Sequence, residues 1–166
     1  MTQTPPSTRS LILVPAIITL AVTALRFGLE LGGAPAWLAN AEAGGPGALI
    51  GIAWLPLVFG PYFAFRLRPF TSSTGALAKR LAGTLVAYGL AARIPVVLLT
   101  IAALFAEWGT HYEKFPFEGG LGAKIGVTLG AQLVFWACVW TPLTGTIAGL
   151  IANALRPRND TVAVAP

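Results

Sequence analysis

Charge is what this sequence has least of. Of its 166 residues only 10% are Asp, Glu, Lys or Arg, while 55% are hydrophobic. A soluble domain carries roughly 25% charged residues because its surface must be solvated, and a short chain has much surface for its volume. The shortage excludes an ordinary water-soluble domain. The apolar surface must face a bilayer, and the mean hydropathy of +0.74 agrees.

Cysteine and histidine are equally scarce. A single cysteine, Cys138, excludes an intramolecular disulfide and any multi-cysteine metal or cluster site. It lies in an apolar run and reads as a small hydrophobe. A single histidine, His111, cannot supply bis-imidazole haem ligation, and no carboxylate cluster accompanies it for a metal. There is no Gly-x-Ser-x-Gly, no Walker-type phosphate loop and no carboxylate pair within an apolar run. Those absences argue against hydrolase, ATPase and proton-relay roles. No cofactor is expected, and the chain reads as a non-enzyme. A lipid-modifying enzyme relying on chemistry borne by its substrate is the reading left over.

What is present is a set of four apolar runs. They cover about residues 11–31, 48–65, 81–106 and 125–155. A spanning helix needs roughly 20 apolar residues; the second run is short and the third is longer than crossing requires. None alternates apolar with polar residues as a membrane β-strand does, and open sheet edges cannot face lipid. The expectation is an all-α integral membrane protein, a four-transmembrane-helix bundle over residues 11–155. Residues 1–10 and 156–166 are expected as disordered cytoplasmic ends. Prolines at Pro15, Pro56, Pro61, Pro95 and Pro142 would break helices in water at ~3 kcal/mol each; between packed membrane helices they mark kinks. Pro95 is the one able to split the third span, and a single tilted or bent helix is the reading preferred.

Orientation follows from the basic residues. Arg9, Arg66, Arg68, Lys79, Arg80, Arg156 and Arg158 flank the runs on one side; Lys114 and Lys124, with Glu42, Glu107, Glu113 and Glu118, lie on the other. The positive-inside rule puts both termini in the cytoplasm, which requires an even number of spans. The same placement at segment ends, rather than along one face, excludes nucleic acid as the partner of the net charge of +5. A cleaved signal peptide is the competing view of the first run. Its cleavage-like Ala39-Asn40-Ala41 lies well beyond the apolar stretch, past Arg26 and Glu30, so a retained helix is expected. The Ala- and Gly-rich composition points to a bacterial inner membrane.

Arg26, Glu30 and Arg93 are the ionisable residues placed well within spans. An Arg near the bilayer centre costs about 2.5–3.5 kcal/mol on insertion scales, so each needs a compensating partner. Counting ~1.5 Å per residue puts Arg26 and Arg93 at similar depth. Glu30 lies one turn from Arg26 on the same face and can pair with it. For Arg93 the sequence offers Glu30 on a neighbouring helix or carbonyls freed by Pro95. The structural reading is an ion pair joining the first and third helices. The functional one is an anion, lipid-headgroup or substrate site between two arginines.

Three further patterns are present. Small residues recur at four-residue spacing at Gly28/Gly32, Gly47/Gly51, Gly122/Gly126/Gly130 and Gly145/Gly149. Such spacing lets helices approach closely, within one bundle or between copies, the fourth span being the best oligomer face. Trp54-Leu55-Pro56-Leu57 matches Trp140-Thr141-Pro142-Leu143, which a parallel hairpin repeat would produce but chance explains as well. The segment 107–120 mixes acids with Trp108, Tyr112, Phe115 and Phe117, an interfacial belt or a docking surface.

From this the expected function is a non-catalytic membrane-complex subunit or oligomeric scaffold, with lipid and a protein partner or second copy as its contacts. The alternative is a small transporter or channel for an anionic or amphipathic solute, with Arg26 and Arg93 lining the site. Nothing in the sequence selects a ligand.

Overall fold

The computed structural model describes residues 4–39, 51–115 and 117–156. Glu42, Gly47, Arg158, the two later residues of Ala39-Asn40-Ala41, the first residues of the second run and nearly all of the 156–166 tail lie outside them. The described chain is all-helical, with three helices long and apolar enough to cross a membrane. These are α1 (Thr8–Leu31), α3 (Thr74–Ala106) and α4 (Leu121–Leu155). A shorter helix, α2 (Leu55–Leu67), lies between α1 and α3 in sequence.

Local chemistry sets the boundaries. The first helix begins at Thr8 rather than Leu11, because the Ser7 side chain accepts from the Ser10 N–H and caps the first turn. Residues 8–10 are therefore helical, not part of a disordered end. Ser73 caps α3 in the same way through the Ala76 N–H, so that helix starts seven residues before the expected Leu81. It runs unbroken through Pro95, which answers whether the third span splits. At ~1.5 Å per residue its 33 residues exceed the roughly 30 Å hydrocarbon thickness.

The second run is where expectation and structure part. Pro56 sits in the first turn of α2, where its missing N–H costs nothing. The helix starts at Leu55, and residues 51–54 ahead of it are not helical. The 13-residue α2 is ~20 Å long, too short by itself to cross.

Alternate helices run in opposite directions. The start of α1 (Thr8, Leu11), the end of α2 (Leu67) and the early part of α3 (Arg80, Thr84) meet around one hollow. The Arg156 guanidinium, just after α4, lies 5.6 Å above the Phe65 ring of α2. At the opposite end the chain beyond α3 folds back on α1 through His111 and Glu30.

Helix α3 is central. It buries Leu77, Leu81, Leu85, Tyr88 and Ala92 against Leu55, Phe59, Phe63, Ala64 and Leu67 of α2. Phe59 and Phe63 meet Tyr88 edge-on at 5.3 and 5.8 Å, worth ~0.5–1.5 kcal/mol per pair beyond area. The buried Tyr88 hydroxyl is satisfied by Thr19 of α1 at 2.7 Å. Between α2 and α4 the backbones nearly touch. A Cβ on Gly60 would fall 2.1 Å from the Gly145 carbonyl oxygen, and one on Gly149 would fall 2.8 Å from the Gly60 carbonyl oxygen. The Gly145/Gly149 pair thus packs within the bundle. Gly122, Gly126 and Gly130 face open space. The outer surface carries an apolar stripe along α4, Val139, Leu143, Ile147, Ile151 and Leu155, as a lipid-facing helix requires.

Candidate anion-binding site

Half-way along, α4 changes character. Between the α-helical stretches Leu121–Leu129 and Thr141–Leu155 the residues Gly130–Trp140 form a π-helix. The Thr141 hydroxyl donates to the Trp136 carbonyl, five residues back, at 2.7 Å. Pro142 follows directly; it has no N–H to continue the ladder, and its ring would clash with a preceding carbonyl in a tight α-turn. Wider turns relieve that clash, and π-helical insertions are frequent at functional sites. Here the π-helix brings Gln132 and Trp136 to the side chain of Arg93.

Arg93 is 6% exposed. Its Nη1 donates to Gln132 Oε1 at 3.1 Å, and its guanidinium carbon lies 4.9 Å from the Trp136 ring centroid. A hydrogen bond to a charged group contributes ~1.5–3 kcal/mol and a desolvated cation–π contact ~2 kcal/mol. Together these are comparable to the cost of placing an arginine in the bilayer. They hold the cation without cancelling its charge. Among the described residues no carboxylate pairs with Arg93.

The expected partner, Glu30, is engaged elsewhere. Its two carboxylate oxygens accept from the backbone N–H of His111 and meet His111 Nδ1. His111 opens a 3₁₀ turn, His111–Glu113, which is closed by a capping box in which Glu113 accepts from the N–H and hydroxyl of Thr110. The chain reaches that turn through Glu107 at φ 50° and Gly109 at φ 71°. A left-handed backbone suits glycine and is strained for a glutamate. The turn carries Tyr112 against Phe27 of α1, ring centroids 6.1 Å apart, and Trp108 contacts the same ring at 5.3 Å. Within the aromatic segment 107–120, Trp108 and Tyr112 are thus folded against α1.

These elements line a partly open cavity of about 370 Å³. Its walls are Thr23 and Arg26 from α1, Arg93 and Val96 from α3, His111 and Tyr112 from the turn, Gln132 and Trp136 from α4, and residues 51–53 ahead of α2. The Trp140 indole N–H donates to the carbonyl of Ala53, in that last segment, at 2.9 Å, so the two Trp-x-Pro-Leu copies are neighbours in space. Arg26 lies 18 residues into α1 and Arg93 19 residues into α3, ~27 and ~28 Å along their helices. Both line the same cavity. Tyr112 lines the cavity too: burial pushes its phenol above the ordinary value near 10, Arg26 and Arg93 pull it down, and Glu30 pushes it up.

Of the three residues singled out in the sequence, two meet at the cavity and the third, Glu30, secures the turn behind it. Gln132, Trp136, His111 and Tyr112 were missed. Gln132 carried a usable signal, being an amide inside an apolar run, where an unpaired polar group is costly. Among the described residues no cluster of His, Cys, Asp and Glu could hold a metal. Compared with family models, with curated proteins and with solved structures, the chain gives no match.

Proposed function

We propose that this protein is a small multi-pass membrane carrier or channel that takes an anionic solute into the cavity between Arg26 and Arg93. The observation that supports it most directly is the buried Arg93, held by the neutral Gln132 and Trp136 on the wall of a cavity. An anion entering there gains charge-assisted hydrogen bonds in a low-dielectric site at a place where the cost of burying the cation has already been met. In this reading the four expected crossings are α1, α2 with the residues ahead of it, α3 and α4, and both termini are cytoplasmic. Arg9, Arg66, Arg68, Lys79, Arg80 and Arg156 then lie on the inside, and the membrane is a bacterial inner membrane.

Reconstituted vesicles test it. Arg93→Ala should abolish anion uptake while size-exclusion profile and melting temperature stay near wild type. An Arg93→Ala protein that folds and still transports anions would exclude the reading.

A non-catalytic subunit or scaffold is the second reading. It is favoured by Gly122, Gly126 and Gly130, which leave part of α4 without side chains and with nothing packed against it, a surface on which another helix can lie closely. Native mass spectrometry after gentle extraction should then show a homo-oligomer or a stoichiometric foreign subunit that Gly126→Leu disrupts. A monomer that Gly126→Leu leaves unchanged would exclude it.

A further inference from the structure

The cavity lining mixes two kinds of residue, and the mixture narrows the class of ligand beyond a negative charge. Arg26, Arg93, Thr23, Gln132, His111 and Tyr112 are polar; Ile52, Val96 and Trp136 are apolar, and the Trp136 ring packs on the Arg93 guanidinium itself. The volume of about 370 Å³ is at the small-molecule end of binding cavities, which run roughly 300–1,000 Å³. One water in the liquid occupies ~30 Å³, so a halide or an inorganic oxyanion would fill only a fraction and leave the rest of the cavity wet against apolar side chains.

We infer that the ligand is an amphipathic organic acid, one acidic head on a compact apolar body. The head pairs with Arg93, whose planar fork matches carboxylate and phosphate oxygens. The body lies along Val96, Ile52 and Trp136. This rests on the anion-binding reading above and adds the class of anion. The carboxylate that would otherwise compete for Arg93, Glu30, is occupied by His111, which leaves the guanidinium's negative partner to be supplied from outside the described chain. Burying a ring or a short alkyl chain contributes about 1.5–3 kcal/mol, equivalent to roughly tenfold or more in affinity. The acid has two possible sources: a soluble aryl or alkyl acid, or the acidic head of a membrane lipid whose tail leaves the cavity for the bilayer.

The full chain in phosphatidylcholine nanodiscs, titrated calorimetrically with 4-phenylbutyrate and separately with inorganic phosphate, tests this. Phenylbutyrate should bind saturably, about tenfold or more tighter than phosphate. Arg93→Gln should weaken it by a further factor of about ten or more. Ile52→Trp, which takes volume from the cavity at an apolar residue, should weaken phenylbutyrate by a larger factor than it weakens phosphate. Should Arg93→Gln fail to fold, the Ile52→Trp comparison carries the test. Discs doped with phosphatidic acid separate the sources: loss of phenylbutyrate binding there supports a lipid head, and unchanged binding supports a soluble acid. Equal affinity for phosphate and phenylbutyrate would overturn the amphipathic class and leave the anion site standing. Absence of any Arg93-dependent binding by either probe would overturn both.

Discussion

Two stretches of α4 differ in what they add to close packing. From Thr141 onward it is a regular α-helix whose Gly145 and Gly149 press against Gly60 of α2 until no Cβ fits. Before that, over Gly130–Trp140, it is a π-helix that leaves a cavity and sends polar and aromatic side chains into it. Where lipid offers no hydrophobic contrast, helices associate by close backbone packing, and the later stretch does only that. The π-helical stretch packs as closely at one point, where a Cβ on Gly89 of α3 would fall 2.5 Å from the Ala137 carbonyl oxygen, and beside that point it surrounds a buried cation. Both stretches hold the bundle together; only the π-helical one also carries the site. Stability should therefore respond most to changes in the glycine contact, and ligand binding to changes around Arg93.

The largest effect expected is at that contact. Gly60→Ala puts a methyl group 2.1 Å from a backbone oxygen, and overpacking of this kind costs about 3 kcal/mol. The same change at Gly126, which faces open space, should be neutral or stabilising by up to about 1 kcal/mol. Denaturation in mild detergent measures both. Equal responses at the two positions would erase the contrast between them.

Next comes Gln132. Gln132→Leu removes the Arg93 hydrogen bond and should cost about 1.5–3 kcal/mol. Gln132→Glu instead gives Arg93 an internal carboxylate. Stability should then hold or rise while anion binding is lost. Retained binding in Gln132→Glu would mean that Arg93 is not where the anion sits.

Releasing the outer turn is a smaller, local perturbation. Glu30→Gln weakens the carboxylate's hold on the His111 N–H and ring, costing about 1–2 kcal/mol. Hydrogen exchange at the His111 amide should accelerate while amides in the Gly60 region stay protected. Uniform acceleration would make the turn part of the core rather than a separately held cover.

The smallest effect concerns Tyr112. Burial raises its phenol pKa, so the folded state holds that proton more tightly than the unfolded chain does. The linked stability is fully present below pH 10 and is lost as pH rises through the raised folded value. A phenolate absorbance difference between wild type and Tyr112→Phe should therefore develop above the range of a free tyrosine. A normal midpoint would mean that the turn leaves Tyr112 wet.

The three long helices were legible because hydropathy over twenty residues is a local property and a helix is the simplest spanning answer to it. Their exact starts turned on single hydroxyls, Ser7 and Ser73, which a hydropathy scan does not weigh. In the second run the helix begins with Pro56 in its first turn, where a missing N–H costs nothing, whereas Pro15, Pro61 and Pro95 lie inside helices that continue through them.

Sequence by itself determined that this chain belongs with lipid, that it is helical, and that Arg26, Glu30 and Arg93 would have to be explained, since each follows from the transfer cost of a residue type. Tertiary structure alone decided who answers to whom. Glu30 turned to His111, 81 positions away, and Arg93 to Gln132, 39 positions away. The same held for the glycines: one spacing motif produced a buried contact at Gly145/Gly149 and an open face at Gly122/Gly126/Gly130. Spacing says which residues share a face of a helix, and only packing says what that face meets.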